Sequence, residues 1–308
     1  MDGKIVTVVG ATGALGLEIA KALLAKGAQV RALVRATSDR TALSAAGVTD
    51  FVVADLLDPG TLQKALSSEP RAVAVVASAA GYTAHTKGDT AKVDTEGYHN
   101  LIDACKNAGL GRFVLISILE CDKATTVPHF YNKFVAESYL QKRKQTYLAL
   151  RAGAFLDQSK DLVAAGLKNG VYPEFVPGAT LGMIYTPDLA KYAAQAALEL
   201  PDTAMNQSVD VGWNVPATGT VLAAAFAKVL GKPVVSKPAF SPVMMALMPL
   251  LAAFNPALKD TLAMVQWIKK GDYVSKNTQK QKDLFGELPT VDDVAARYCS
   301  NNSMATTV

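Results

Sequence analysis

Features that would tie a protein to a membrane, a metal or an oxidising compartment are scarce in this chain. Its three cysteines, Cys105, Cys121 and Cys299, lack paired spacing, which predicts reduced thiols in a cytoplasmic location. No cluster of His, Cys and Asp has metal-ligand spacing, so we predict no metal site. The longest apolar stretch, Val243 to Phe254, is too short to span a bilayer and contains Pro249.

The charge pattern excludes one class of partner. The net charge is +4, but the chain has no run of five or six basic residues. The densest basic cluster, residues 142–144, is typical of a solvated helix end and does not predict nucleic-acid binding. The amino terminus runs directly into a predicted strand at Lys4, which leaves no room for a signal peptide and favours the cytoplasm. Half of the residues are hydrophobic, so a substantial core is available.

A strand, a glycine turn and a helix open the chain. Lys4 to Val9 is rich in Ile and Val and predicts a buried strand, and apolar residues recur at helical spacing from Ala14 onwards. Glycines at this turn let a phosphate approach the backbone, where the amides of the first helical turn face it. The pattern predicts a dinucleotide site. Its pyrophosphate contacts are expected from Gly10, Thr12, Gly13, Ala14, Leu15 and Gly16.

The ends of the next three predicted strands extend this site. Arg35 follows the second strand, about twenty residues after the glycine turn, where an arginine suits a 2′-phosphate and indicates NADP(H). Asp55 and Leu56 follow the third strand, where Asp55 could meet the adenine edge. Ala77 and Ser78 end the fourth strand; small residues there let a cofactor lie against the backbone, or simply form a tight buried turn.

Strands and helices alternate through the first half of the chain. This alternation predicts an α/β fold with a parallel, doubly wound sheet and a ligand at its carboxyl edge. The alternation weakens beyond the sixth predicted strand, which ends near Gly153. Prolines at positions 238, 242, 249 and 256 are expected to break an apolar, Met-containing segment into short pieces.

Three stretches resemble one superfamily. VTVVGATGALG (6–16) is similar to the opening fingerprint of the short-chain dehydrogenase/reductases, and 93–117 resembles the helix and fifth strand of their extended members. DLFGELPTVDD (283–293) resembles the carboxyl end of the atypical NmrA-like and isoflavone-reductase-like members. The resemblance implies a Rossmann-type NADP-binding domain over residues 1–155. Residues 156–308 would be mainly a small substrate-binding region, with some segments returning to the Rossmann core.

The same resemblance suggests catalytic residues. The superfamily normally uses Tyr-x-x-x-Lys with a serine at the end of the fifth strand, and here Lys133, with Glu137 four residues on, matches the lysine. The tyrosine position then falls on His129. Tyr131 lies only two residues before Lys133, roughly 200° around a helix, so it points elsewhere unless the helix starts late. Ser117 matches the first serine of the usual pair. The incomplete triad leaves His129, Tyr131 and water open as proton source.

These residues together imply a function. The matching lysine implies that Lys133 contacts the nicotinamide ribose, and we also assign Gly153 and Phe155 to the cofactor site. The chain is expected to be an NADPH-dependent reductase of an apolar carbonyl, quinone or enone, with a homodimer left open. The alternative is a non-catalytic NADP(H)-sensing regulator of the NmrA type, which the missing tyrosine favours.

Overall fold

The computed structural model of this chain describes residues 3–81, 90–157, 159–271 and 273–304. Within these residues, seven strands form one sheet in the order β10-β6-β5-β4-β1-β2-β3. The strands are β1 (Ile5–Val9), β2 (Gln29–Val34), β3 (Asp50–Val53), β4 (Ala74–Ala77), β5 (Phe113–Ile118), β6 (Tyr147–Ala152) and, later in the chain, β10 (Gln207–Val211).

The strand order shows how the chain winds through the sheet. The chain passes through β1, β2 and β3 towards one edge of the sheet and then returns, so that β4 lies on the other side of β1. The pairings β1–β2, β2–β3, β1–β4 and β4–β5 are all parallel. The doubly wound Rossmann-type prediction is therefore confirmed. A ligand crevice in such a sheet lies at the carboxyl ends of the strands where the order reverses, which here means β1 and β4.

The helices of the described residues connect these strands and continue to the carboxyl end. They are α1 (Ala14–Ala25), α2 (Thr41–Ala45), α3 (Pro59–Leu66), α4 (Tyr98–Asn107), α5 (Pro128–Lys142), α6 (Lys160–Lys168), α7 (Thr186–Leu198), α8 (Gly219–Leu230), α9 (Pro242–Ala252), α10 (Pro256–Ile268), α11 (Thr278–Phe285) and α12 (Val291–Asn301). A π-helical segment, Lys92–Gly97, leads directly into α4. Among these described helices, none combines the length and hydropathy that a membrane crossing needs.

The chain divides into two compact units. The first comprises residues 1–151 and 186–209, and the second comprises residues 152–185 and 210–308. In the first unit, α1 packs against α7 on one face of the sheet. On the other face, Leu62 of α3 and Leu101 of α4 join Phe113 and Tyr147 of the strands in a fully buried apolar cluster. Helices therefore cover both faces of this sheet, as a buried parallel sheet requires.

The second unit has its own apolar core. Short parallel pairs join β8 (Val171–Glu174) to β11 (Val235–Pro238) and β7 (Ala154–Phe155) to β9 (Met183–Ile184). Phe226 of α8 and Tyr298 of α12 lie fully buried in the cluster that fills this unit.

The prediction that prolines break the segment 238–256 into short pieces is confirmed at Pro238, which ends β11, and at Pro242 and Pro256, which begin helices. It is wrong at Pro249. Pro242 and Pro256 lie in the first turns of α9 and α10, where proline lacks only an amide that has no helical partner. Pro249 lies inside α9, which continues to Ala252. The segment therefore forms one apolar helix followed by a second.

Candidate cofactor and active site

The glycines of the first turn differ in whether the fold has room for a side chain at their positions. Gly10 has φ +81°, and a Cβ there would lie 2.7 Å from the Ala79 amide nitrogen. A Cβ on Gly16 would lie 2.1 Å from the Gly10 carbonyl oxygen. These two glycines are demanded by the packing of backbone on backbone. Gly13 is exposed, and a Cβ there would meet only the Gly10 oxygen, at 3.4 Å. The fold itself therefore tolerates a side chain at position 13.

The helix that follows this turn has an open amino terminus. Gly13 is the residue that caps α1, and it has no side chain that could accept a hydrogen bond from the first-turn amides. The amides of Ala14, Leu15 and Gly16 lie within the first turn, where no preceding carbonyl of the helix can accept from them. Thr12, Gly13 and Ala14 are exposed. Exposed amides combined with the positive end of the helix dipole make this terminus suitable for a phosphate.

Arg35 lies at the same edge of the sheet. β1 and β2 pair in parallel with Val9 opposite Leu33, so the glycine turn and Arg35 follow neighbouring strand ends. The Arg35 amide donates to Ser38 Oγ at 3.1 Å, and the Ser38 amide donates back to the Arg35 carbonyl at 3.0 Å. This turn holds the backbone of Arg35, while its exposed guanidinium has no ion pair or hydrogen bond among the described residues. The cation is therefore available to a ligand.

Small residues end β4 beside the glycine turn. Ala77 is fully buried, and Ser78 donates both its amide, at 2.9 Å, and its hydroxyl, at 3.1 Å, to the Val9 carbonyl. These bonds tie the end of β4 to the end of β1, which is where the strand order reverses. Ala77 and Ser78 thus lie at the crevice, held by bonds between the two strands, and a cofactor contact there stays a prediction.

Asp55 and Leu56 follow β3, and both are held by their neighbours. The Asp55 carboxylate accepts the Leu57 amide at 2.9 Å, and the Leu56 carbonyl accepts from Asn100 Nδ2 at 3.0 Å. Asp55 is exposed at the carboxyl edge of the sheet. Its position is compatible with an adenine contact, which stays a prediction.

Lys133 is enclosed in a buried ion pair. Its Nζ lies 2.7 Å from Asp94 Oδ1, donates to the Ala79 carbonyl at 2.8 Å, and lies 3.2 Å from the Tyr98 hydroxyl. Lys133, Asp94 and Tyr98 are at most 5% exposed. The contacts to Ala79 and Tyr98 are hydrogen bonds, whereas the contact to Asp94 is an ion pair in which Oδ1 accepts no hydrogen bond from the described residues. The ammonium is thus enclosed by three groups of the protein.

The electrostatics of this cluster keep both of its proton donors protonated. Burial lowers the pKa of Lys133, but the charges of Asp94 and Tyr98 and the polar contacts to both together outweigh burial, so the pKa is raised above the usual range. Burial raises the pKa of Tyr98 more strongly than Lys133 lowers it. The Tyr98 hydroxyl donates to the Ala79 carbonyl at 2.6 Å. Sequence reasoning missed Asp94 and Tyr98, although both share the predicted buried face of their helix, where an acidic residue needs a cation.

Ser117 belongs to a second buried polar cluster, around Glu137. The Ser117 hydroxyl donates to Glu137 Oε1 at 2.5 Å, and Ser208 donates to Oε2 at 2.8 Å. Arg151 donates to the same carboxylate through Nε at 3.0 Å and Nη2 at 2.7 Å. Burial lowers the pKa of Arg151, but its hydrogen bonds to Glu137 and the negative charges around it together raise the pKa above the usual value. The predicted serine thus contacts the glutamate of the lysine motif and is not a free hydroxyl.

Cys121 borders this second cluster. Its thiol lies 3.6 Å from the Ser117 hydroxyl and 3.5 Å from Glu137 Oε1. Burial and the neighbouring Glu137 carboxylate raise the pKa of Cys121 to about 12. The thiolate is the nucleophilic form of cysteine, and this raised pKa keeps the thiol protonated at neutral pH. Cys121 is therefore a buried packing residue and not a nucleophile.

The helix α5 sets the geometry of the two proton-donor candidates. It begins at Pro128, so His129 and Lys133 lie four residues apart on one face. The late start that would bring Tyr131 onto that face does not occur. His129 is 9% exposed, with its ring edge-on to Phe130, whereas the ring of Tyr131 packs towards Phe134.

Gly153 and Phe155, the last predicted cofactor residues, lie in the second unit. A Cβ on Gly153 would lie 2.3 Å from the Gly182 carbonyl oxygen, so backbone packing demands this glycine. Phe155 pairs with Ile184 across β7 and β9. The other predicted site residues belong to the first unit.

Solved structures support the fold. Triphenylmethane reductase from Citrobacter sp., in complex with NADP(H), superposes with a TM-score of 0.74 at 23% identity, covering 95% of this chain and 99% of that one. An NADPH-dependent quinone oxidoreductase from Escherichia coli superposes with a TM-score of 0.72 at 22% identity, covering 95% and 98% of the two chains. Both are similar in architecture to this chain.

The curated sequence relatives have names of a different kind from those of the solved structures. Photosystem II assembly factor Ycf39 from Synechocystis sp. is 30% identical over 208 residues, which are 67% of this chain and 62% of that protein. Its counterpart from Cyanophora paradoxa is 31% identical over 150 residues, 49% of this chain and 45% of its own length. The matched part of the chain thus spans less than two thirds of these curated relatives.

The NmrA-like family matches residues 2–292, almost the whole chain. This match agrees with the fold, with the glycine turn between β1 and α1, and with the resemblance found at the carboxyl end of the sequence. The chain is therefore a member of the NmrA-like family.

Proposed function

We propose that the chain is an NADPH-dependent reductase that acts on an apolar carbonyl, quinone or enone. The proposal rests on two features at the edge of the sheet where β1 and β2 end. The open helix terminus at Gly13 suits a pyrophosphate. The guanidinium of Arg35, which has no ion pair within the described part of the chain, suits a 2′-phosphate beside it. The NADP(H) bound to the triphenylmethane reductase and the NADPH dependence named for the quinone oxidoreductase agree with this assignment.

The exposed glycine supports the fit of this cofactor. Position 13 has room for a Cβ within the protein alone, so its glycine is better explained by a ligand that needs the space. In the proposed complex Gly10 and Gly16 shape the turn, while Gly13 and the first-turn amides face the pyrophosphate. Ala77 and Ser78 line the crevice from β4. Gly153 and Phe155 stay predicted contacts.

The chemistry needs a hydride and a proton. Bound NADPH would supply the hydride to the substrate, and a protein group or water must supply the proton. His129 is the protein candidate that shares the face of Lys133, and an imidazole suits proton donation near neutral pH. Tyr131 faces elsewhere on α5, so we rank it below His129, with water as the remaining source. Ser117 and Lys133 then act as positioning residues, since both are bonded within buried clusters.

A second function, an NADP(H)-sensing regulator without chemistry, is favoured by one observation. Lys133 is buried and its ammonium is enclosed by Asp94, Ala79 and Tyr98, which favours a structural role for this lysine over assistance of a reaction. Relatives named as photosystem II assembly factors agree with a role outside catalysis. Sustained NADPH consumption with any member of a quinone, enone and aldehyde panel supports the enzyme. Tight NADPH binding without turnover on the whole panel supports the regulator.

Arg35→Ala tests the cofactor assignment that both functions share. A charge-assisted contact of this kind contributes about 1.5–3 kcal/mol, so NADPH binding should weaken roughly ten- to hundredfold. NADH binding should stay nearly unchanged, because NADH has no 2′-phosphate. Fluorescence titration with both nucleotides measures the ratio. Equal losses for the two nucleotides would remove Arg35 from the site.

A further inference from the structure

The helix α9 presents an apolar face to solvent. Its outward residues, together with the residue two positions beyond its end, are between 47% and 86% exposed. They recur at helical spacing and form one continuous stripe, which we call the α9 patch: Val243, Met244, Leu247, Leu250, Leu251 and Phe254. Patches of this kind on a folded protein mark an interaction site.

The opposite face of α9 is the one that packs on the protein. Met248 and Ala252 are buried on that side, at 7% and 6% exposure. An ordinary surface helix buries its apolar stripe and exposes polar residues. Here both faces are apolar, and residues 241–254 contain no charged side chain at all. The outer face of α9 is therefore apolar and exposed to water, which solvates such side chains poorly.

The chain segment that contains the α9 patch is basic. Residues 211–282 contain nine lysines, no arginine and two aspartates, which is a formal charge of +7, whereas the whole chain has +4. Two of these lysines pair with carboxylates that lie outside this range. Lys237 precedes α9, Lys259 lies in the first turn of α10, and Lys269 and Lys270 follow α10; all four are exposed. None of these four lysines has an ion pair among the described residues. Of the two aspartates, Asp260 is buried.

We propose that the α9 patch docks on a lipid bilayer with an anionic surface. An eleven-residue helix is too short to cross a bilayer, but it can lie in the interface plane with its apolar face below the headgroups. The flanking lysines would then contact lipid phosphates, whose charge is opposite to theirs. Apolar insertion flanked by positive charge favours an anionic membrane over a second copy of this basic chain, since two such surfaces repel.

The test is flotation of the full chain with vesicles made of equal parts phosphatidylcholine and phosphatidylglycerol, compared with phosphatidylcholine alone. We expect binding to the mixed vesicles, weaker binding to the neutral ones, and release as salt is raised, because salt screens the lysines. The variant Leu250→Glu/Phe254→Glu should bind at least tenfold more weakly. Lys259→Gln should lower binding to the mixed vesicles roughly fivefold, since one basic residue near such a surface contributes about 1 kcal/mol.

Val221→Glu is the matched control. Val221 lies on α8, outside the α9 patch, and is 44% exposed. It should float like the parent chain, and all variants should keep the parent's circular dichroism and melting temperature. Absence of binding by the parent chain, or equal binding by Leu250→Glu/Phe254→Glu, would overturn the proposal. So would a dimer that dissociates in that variant without vesicle binding, because a second copy would then cover the patch. None of these readouts depends on cofactor binding or turnover.

Discussion

Replacing Lys133 by methionine tests what the buried ion pair does. Methionine keeps the length and apolar stem of lysine but removes the ammonium that contacts Asp94 at 2.7 Å. Asp94 is 1% exposed, so its carboxylate would stay buried without a counter-charge. The Ala79 carbonyl and the Tyr98 hydroxyl would each lose a donor as well.

The expected loss is large. Breaking a buried pair by removing one partner costs about 3–5 kcal/mol of the free energy of unfolding. For a folding unit of this size such a loss lowers the melting temperature by roughly 6–20 °C. Lys21→Met is the control, because Lys21 also pairs with a carboxylate at 2.7 Å but is 49% exposed. Its loss should be about 0.5 kcal/mol or less.

The pH dependence gives an independent check. The folded pKa of Lys133 is raised above its unfolded value of about 10.4, so the pair contributes its full stability below that pH. The contribution is lost as pH rises through the folded pKa. Urea unfolding of the parent chain and Lys133→Met at pH 7 and above pH 10 should therefore show a difference that shrinks with rising pH.

One result would refute this reasoning. If Lys133→Met unfolds like the parent chain but loses NADPH affinity, the ammonium binds the ribose and its bonds to Asp94, Ala79 and Tyr98 are replaced when the cofactor binds. Loss of stability with unchanged NADPH affinity supports the structural role. The double variant Lys133→Met/Asp94→Leu should recover much of the lost stability, because it leaves no unpaired charge.

Three further predictions follow from single contacts. Gly13→Ala should keep the parent's stability and weaken NADPH binding in titrations, whereas Gly16→Ala should melt earlier, since its Cβ would lie 2.1 Å from a backbone oxygen. If the chain turns over a substrate, His129→Ala should lower kcat by about 10²–10⁴ and leave NADPH affinity unchanged. Tyr131→Phe should leave kcat unchanged. The reverse pattern in steady-state kinetics would assign the proton donor to Tyr131. Iodoacetamide at neutral pH should leave Cys121 unmodified in the folded chain by mass spectrometry, because burial raises the pKa of its thiol to about 12.

The sequence by itself determined the first half of the fold. β1 ends at Val9, as predicted, and β2 ends at Val34, directly before Arg35. Apolar runs bounded by turns are local signals, and in a buried parallel sheet each strand has such a run. The glycine turn was also predictable, because its spacing depends on contacts within a few residues. The family was visible for the same reason.

The tertiary structure alone decided what the predicted polar residues contact. Lys133 was recognisable as a motif lysine, but its partners Asp94 and Ala79 lie 39 and 54 residues away in the chain. Ser117 was predicted at a reaction centre, yet it donates to Glu137, twenty residues on. Spacing predicts which face a residue occupies, and only the packing of distant segments determines which group stands opposite.

The apolar helix α9 also separates what the sequence indicates from what tertiary packing decides. The sequence indicated that residues 243–254 are apolar, which ordinarily predicts burial, and that proline would interrupt them. The structure forms a helix there, with Pro242 at its start, and leaves the outer face exposed. Hydropathy reports how poorly a side chain suits water. Whether other parts of the chain reach it is decided by how the whole polypeptide packs.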